Sequence, residues 1–268
     1  MTQQHITLIT GASRGIGLST AEYLAKKGHL VIGLARHTPE KTFPGEFFTV
    51  DLSDRHATTK TLANLTKQYS FDGVVNNVGI VHPQPLEEVT LDNFEAVIDL
   101  NLRVAIQTVQ AVVPSMKAKK WGRIVNISSI AALGAQDRTS YTIAKAGMIS
   151  LARTWALELV SSGITVNFVA PGGIETEMAK RICPPGSEVE QRCINGIPMR
   201  RFGQPLEVAA TIGFFFSEEA GYITGQTLFV DGGCSMDIHP FLIIRQDNYY
   251  FTLKKNDRTT HYPNHRCK

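Results

Sequence analysis

The sequence is short of several things, and each shortage removes a class of function. Charged residues make up only 19% of the 268, with 27 basic against 24 acidic side chains. That is too little charge for a disordered polyelectrolyte, and a net charge of +3 is too small to argue for nucleic acid as partner. Cysteines are few (183, 193, 234 and 267) and show neither CxxC spacing nor a dense framework, so neither a metal site nor structural disulfides are expected. A reducing cytoplasm is the compartment this usage implies. No apolar run approaches the roughly 20 residues a bilayer span needs, so no membrane is expected. The opening Met-Thr-Gln-Gln-His lacks the charged-then-apolar form of a signal peptide. One further absence is local: no Asp or Glu stands in Leu34-Ala35-Arg36-His37, at the end of the second apolar run.

What remains is a chain that is 43% hydrophobic, enough for a substantial core. Short β-branched runs at 5–10, 30–35, 47–50, 72–76, 123–128, 164–169 and 227–230 are apolar without alternation, as strands covered on both faces should be. Helical patterns fall between them at 15–28, 55–69, 91–119, 140–162 and 205–217. Strand–helix alternation predicts an α/β fold: a single-domain Rossmann-type doubly wound parallel sheet of about seven strands, with helices on both faces. No linker or internal repeat divides it. Between Ala35 and Phe47 lie two prolines and a glycine, which predicts a loop in place of the usual crossover helix and a thinly covered sheet face there.

The first strand-to-helix turn reads Thr10-Gly11-Ala12-Ser13-Arg14-Gly15-Ile16-Gly17. Glycines let backbone approach a pyrophosphate, and the N–H groups of the helix start stabilise its charge. An NAD site usually carries an acid at the end of the second strand to hold the ribose hydroxyls. Here Arg36 stands instead, with Arg14 as a second cation, and both could clamp a 2′-phosphate. NADP(H) is therefore the expected cofactor.

Tyr141 and Lys145 are spaced i, i+4 near the start of a helix, so they share one face. A phenol has a pKa near 10, and an ammonium one turn away favours its ionised form. Upstream, the run 123–128 ends in Ser128-Ser129, at the carboxyl end of a strand where open α/β sheets hold ligands. Ser128 is the expected donor to a substrate oxygen. Asn101 sits inside the long helical pattern 91–119, where a polar residue taken alone is usually exposed or capped.

Taken in order, these elements resemble the classical short-chain dehydrogenases/reductases. The match runs from about His5 to Gly233 and includes Asp51-Leu52, Asn76-Asn77-Val78-Gly79, Pro171-Gly172-Gly173-Ile174-Glu175-Thr176 and Asp231-Gly232-Gly233. Val78 departs from the family's usual alanine. The resemblance implies catalysis by Asn101, Ser128, Tyr141 and Lys145: Tyr141 as proton donor, Ser128 orienting the carbonyl, Lys145 holding the nicotinamide ribose and lowering the Tyr141 pKa, Asn101 supporting a proton relay. It implies a cofactor site of Gly11, Ser13, Arg14, Gly15, Ile16, Gly17, Arg36, Asp51, Leu52, Asn77, Val78, Gly79, Pro171, Gly172, Ile174 and Thr176, with Tyr141 and Lys145.

The segment from Glu175 to Phe202 corresponds to the family's substrate lid, broken by Cys183-Pro184-Pro185-Gly186. Its look is similar to the 3-oxoacyl-(acyl-carrier-protein) reductases, which implies reduction of a 3-oxoacyl thioester. Lys119, Lys120, Lys180 and Arg181 are then expected to flank the cleft and meet an acidic acyl carrier protein. A secondary-alcohol or sugar dehydrogenase, and a non-catalytic dinucleotide sensor, are the alternatives. A homotetramer or homodimer is the family expectation. Residues 1–235 are expected to form the domain. The stretch 236–268 reads as an atypical extension, expected to be poorly ordered, with short strand candidates at 239–244 and 247–251.

Overall fold

The computed structural model describes residues 4–236; the extension, with both its strand candidates and Cys267, lies outside the described residues. Seven strands form one parallel sheet: β1 (Ile6–Thr10), β2 (Leu30–Ala35), β3 (Glu46–Thr49), β4 (Gly73–Asn76), β5 (Gly122–Ile127), β6 (Ile164–Pro171) and β7 (Thr227–Val230). Their order is β3-β2-β1-β4-β5-β6-β7, so the chain reverses its direction of travel between β1 and β4. Such a switch point opens a crevice at the carboxyl ends of the strands. Strand bounds differ from the sequence expectation by a residue or two at either end.

Helices cover both faces. On one, α2 (Arg55–Gln68), α4 (Val104–Lys119) and α5 (Thr139–Leu159) enclose a core with Leu8, Phe71, Val74, Ile124 and Phe168. On the other, α1 (Gly15–Lys26) and α8 (Pro205–Phe216) enclose Ile9, Val75, Val125, Val169 and Phe215. Consecutive strand residues serve opposite cores, which is why the strands need apolar residues throughout. Side chains cap the helices: Asp54 accepts from the His56 and Ala57 amides at α2, and the Glu207 carboxylate accepts from the Gln204 amide at α8.

The Ala35–Phe47 connection contains no helix, as its prolines predict. The sheet face beneath it is not bare, however. Phe43 folds back over Gly33, where a Cβ would lie 2.5 Å from its ring, and meets Phe47 edge-on. One aromatic ring thus covers what a helix would have covered.

The pattern 91–119 is interrupted. Helix α3 (Leu91–Ile98) passes through a π-helical turn, Asp99–Arg103, into α4. Contrary to the sequence expectation, Leu91–Lys119 is long and apolar enough, by length and composition, to cross a bilayer. In this fold it is a layer of the domain, with Val104, Val109, Val112 and Met116 buried in the core.

The amino-terminal edge of the sheet, opposite the crevice, is held by the buried Asp72 carboxylate. It accepts from the Ile6 amide at 2.8 Å and from Lys119 Nζ at 2.6 Å. Lys119 is therefore committed at the wrong edge to serve as a docking cation, and Lys120, the next residue, turns there with φ +51 into β5. Both expectations for these lysines are corrected.

Candidate active site

A cleft of roughly 2190 Å³ opens over the carboxyl ends of β1, β2, β4, β5 and β6. Its floor at the switch point is backbone. A Cβ on Gly11 would come within 2.9 Å of Asn77 Nδ2 and 3.0 Å of Val78 Cα, and one on Gly17 within 2.2 Å of the Gly11 carbonyl oxygen. Gly11 and Gly15 also carry φ of +67 and +55. The loop can pass so close only because those side chains are missing. Asn77 ties it down, donating to the Thr10 and Gly11 carbonyls at 3.1 Å each, while Thr10 Oγ1 accepts from the Asn77 and Val78 amides. Gly17 lies behind the wall of the cleft; Ser13, Arg14, Gly15 and Ile16 border it.

At the β2 end, Ala35, Arg36 and His37 border the cleft with Asp51 and Leu52. Asp51 accepts from the amide and hydroxyl of Ser53, which hold its carboxyl below the usual range with help from the charges of Arg36 and His37. A cationic corner with one carboxylate fixed beside it is what a phosphorylated ribose and an adenine amino group require. On the facing wall stand Pro171, Gly172, Ile174 and Thr176; Thr176 caps α6 (Glu177–Ile182) and sits 3.3 Å from where a Gly15 Cβ would be. Gly172 packs on Asp231, leaving 2.7 Å for a Cβ. The cradle fits a dinucleotide.

The catalytic candidates converge at the β4–β5 side. Tyr141 and Lys145 project from the first turns of α5, with Lys145 Nζ 5.5 Å from the centre of the Tyr141 ring. Lys145 is buried and donates to the Ile127 carbonyl at 2.8 Å; burial brings its pKa down to about 8. Asn101 is only 1% exposed, against the expectation for such a residue taken alone. The π turn swings it inward, where Nδ2 donates to the carbonyls of Ile80 and Val97. Its Oδ1 has no protein partner among the described residues and faces Gly79, opposite Lys145 Nζ: a Cβ there would lie 2.5 Å from the first and 3.4 Å from the second. The turn is anchored by Asp99, paired with Arg55 and Arg103, and Arg103 also donates to the Leu52 carbonyl at the adenosine end.

Two sequence expectations change. Ser128 is 2% exposed, and its hydroxyl donates to the Lys145 carbonyl at 2.9 Å. It is Ser129 that meets the Tyr141 hydroxyl, with its Oγ also accepting from the Ala131 amide. Both serines border the cleft just past the end of β5, but the Ser128 hydroxyl is spent on the Lys145 carbonyl. Nor is the phenol acidic in the cofactor-free fold. Burial pushes the Tyr141 pKa up, while the Ser129 hydroxyl and the nearby charge of Arg138 pull it partly back. Sequence reasoning missed both groups, although Arg138 stands three residues before the tyrosine.

Over the substrate side lies the lid, α6 and α7 (Glu188–Gly196). Cys183 and Cys193 are joined by a disulfide that links the two helices, correcting the expectation of no disulfide. Lys180 and Arg181 do border the cleft; Lys180 is paired with Glu177.

This arrangement, a glycine cradle at the switch point beside a Tyr–Lys pair and a buried asparagine, defines an oxidoreductase that uses a nicotinamide dinucleotide. The chain belongs to the short-chain dehydrogenase/reductase family. A family model described as Enoyl-(Acyl carrier protein) reductase matches residues 11–235. Among curated proteins, the 3-oxoacyl-[acyl-carrier-protein] reductase of Vibrio harveyi is 36% identical over 240 residues, covering 86% of this chain and 97% of that protein. Among solved structures, the aldohexose dehydrogenase of Thermoplasma acidophilum superposes with a TM-score of 0.82 at 30% identity, over 88% of this chain and 95% of that one. A putative NAD(P)-dependent gluconate 5-dehydrogenase of Beutenbergia cavernae, with bound NADP, does so with 0.82 at 29% over 88% and 98%.

Proposed function

We propose that the chain reduces a ketone to a secondary alcohol with NADPH, and that a 3-oxoacyl thioester is the first substrate to test. The observation that carries the reading is the Tyr141 phenol, which borders the dinucleotide cleft beside Ser129 with Lys145 Nζ 5.5 Å from its ring centre. Reduction needs a proton donor at the carbonyl oxygen, and a phenol with a raised pKa keeps its proton until charge develops there. Bound NADPH would supply the hydride. Tyr141 would give its proton to the carbonyl oxygen, and Ser129 would orient that oxygen, in the role the resemblance assigned to Ser128. Lys145 would hold the nicotinamide ribose through hydrogen bonds. Water between Asn101 Oδ1 and Lys145 would return a proton toward Tyr141.

Arg36 and Arg14, with no acid at the end of β2, support NADP over NAD. The remaining cofactor contacts are those of the cradle: Ser13, Gly15 and Ile16 for the pyrophosphate, Asp51, Leu52 and Val78 for adenine, Ile174 and Thr176 for the carboxamide. The likeness to a 3-oxoacyl-[acyl-carrier-protein] reductase supports the thioester and, with it, an acyl carrier protein as partner, a homotetramer or homodimer, and a cytoplasmic site of action. Of the four cations expected to receive a carrier, only Lys180 and Arg181 border the cleft. A domain boundary near residue 235 belongs to the same proposal.

A second reading is a sugar or secondary-alcohol dehydrogenase, favoured by the aldohexose and gluconate 5-dehydrogenase neighbours and by the short crossover before β3. Steady-state rates with NADPH and NADH over 3-oxoacyl thioesters, simple ketones and, in reverse, alcohols and sugars separate the two. Arg36→Asp should shift the preference from NADPH toward NADH by about 100-fold, since it exchanges a phosphate clamp for a repelling charge. An unchanged coenzyme ratio would remove Arg36 from the site.

A further inference from the structure

The cleft contains a cation that the reaction as described does not use. Arg138 is the N-cap residue immediately before α5, three positions ahead of Tyr141, and its charge is near enough to act on the Tyr141 phenol. Both border the cleft, with His82 and Pro83 opposite and Leu133 and Ala135 beside them. Its backbone is fixed. The Thr142 amide donates to the Arg138 carbonyl at 2.7 Å, and the Gln84 amide donates to the Asp137 carbonyl at 2.9 Å, across a bridge pairing Gln84 with Arg138. Asp137 holds φ +58, a left-handed conformation unusual for a residue with a side chain. Strain of this kind persists where the surroundings demand one direction of the chain.

The guanidinium itself is poorly occupied. Its one hydrogen bond among the described residues is a long one, 3.4 Å from Nη1 to the Asp137 carbonyl. Among the described residues no carboxylate reaches ion-pair distance, although the Asp137 charge is near enough to be felt. Arg138 is half-buried, and desolvation depresses its pKa. A partly dehydrated guanidinium with its donors unspent is costly unless something anionic arrives. The two lid acids that border the cleft are engaged elsewhere: Glu175 accepts from Gln204 Nε2, and Glu177 is paired with Lys180.

We propose that Arg138 is the specificity-determining residue for a substrate that carries a carboxylate close to its ketone, the guanidinium gripping that carboxylate while Tyr141 faces the carbonyl. This rests on the ketone-reductase reading above and puts a short oxo acid in place of its thioester. One monovalent cation with apolar neighbours matches one monovalent anion, and the planar fork suits a bidentate carboxylate. A dianionic phosphate would call for more than one such cation on the wall.

The test compares pyruvate, acetoacetate and levulinate with their methyl esters, using the full chain and NADPH. The wild-type protein should prefer at least one acid over its ester by about 10- to 100-fold in kcat/KM, the range for hydrogen bonds to a charged group. Arg138→Gln should bring the ratio of acid to ester in kcat/KM down to about 1. Arg138→Lys, which keeps the charge without the fork, should fall between. A variant that slows acid and ester equally, with a shifted pH profile, would make Arg138 a tuner of the Tyr141 phenol and overturn the proposal; so would a wild type indifferent to the ester. A second readout needs no turnover: saturation-transfer NMR of butanoate against butanamide on the NADP⁺-loaded protein. Loss of butanoate binding in Arg138→Gln, with no ketone reduced by any form, would leave the carboxylate site standing and remove the reductase reading. Equal butanoate binding in both proteins would remove the carboxylate site alone.

Discussion

The two halves of the cleft are built by different means. The dinucleotide half is made of backbone: Gly11, Gly15 and Gly17 allow the approach, and Thr10 and Asn77 fix it through four hydrogen bonds. The substrate half is made of side chains on short elements, with Leu133, Met178 and Ile182 exposed around it and a single disulfide holding the lid helices together. A half that any homologue needs can be locked into backbone geometry. A half that decides substrate must vary, and side chains on a lid vary without disturbing the sheet.

The sharpest blow to this comparison falls where the halves meet. Tyr141→Phe should lower turnover by about 1000-fold or more and leave NADPH affinity within twofold. Isothermal titration beside steady-state rates would check it, and retained turnover would dismiss the tyrosine as proton donor. Next, Ser129→Ala should cost about 100-fold in kcat, as loss of an oxygen-orienting donor does. Ser128→Ala should instead register in thermal unfolding, by about 1 kcal/mol for its hydrogen bond to the Lys145 carbonyl. The reverse pattern would restore the original choice of serine.

Glycine substitutions weigh the two halves directly. Gly17→Ala forces a Cβ against backbone, so about 3 kcal/mol of stability and most NADPH affinity should go. Gly186→Ala, in the lid at φ +76 with nothing within 4 Å, should cost about 1 kcal/mol and leave kinetics untouched. Similar losses at both positions in chemical denaturation would erase the distinction.

Lys145 gives a pH signature. Its folded pKa of about 8 lies below the free value of 10.5, so between these limits the unfolded chain holds a proton that the folded chain lacks. This group's contribution to stability is therefore unfavourable below pH 8 and improves as pH rises to 10.5. Lys145→Met should stabilise the cofactor-free protein by roughly 2 kcal/mol at pH 7, after losing the bond to Ile127. The gain should shrink by pH 10; a constant difference would mean that the lysine is not desolvated. Activity should be lost at either pH.

Much of this was legible in the residues. Continuous apolar runs reported strands with two covered faces, and the glycine turn and the Tyr–Lys pair lie where their spacing puts them. The misses share a physical origin, a single-residue change of phase. Adjacent serines past a strand end look alike in sequence, and only the folded chain shows that the Ser128 hydroxyl is spent on the Lys145 carbonyl. A π turn adds one residue to a helical repeat without altering its apolar composition, so periodicity gave no sign that Asn101, which the family resemblance picked out, points inward. Phe43 over Gly33 is a contact between a loop and a strand, for which no periodicity exists. The pairing of Cys183 with Cys193 depends on how two lid helices fold toward each other, which their spacing alone does not reveal.

The π turn at Asp99–Arg103 acts on more than Asn101. By winding one extra residue into the rod, it rotates everything downstream by about 100°. The upstream part, α3, leans on α5, while the downstream part, α4, leans on α2 and the sheet. One rod thereby serves two sets of neighbours, like a shaft with a keyed coupling in its middle. Removing one residue from the coupling would straighten the shaft and carry Val104, Val109 and Val112 out of the core toward water.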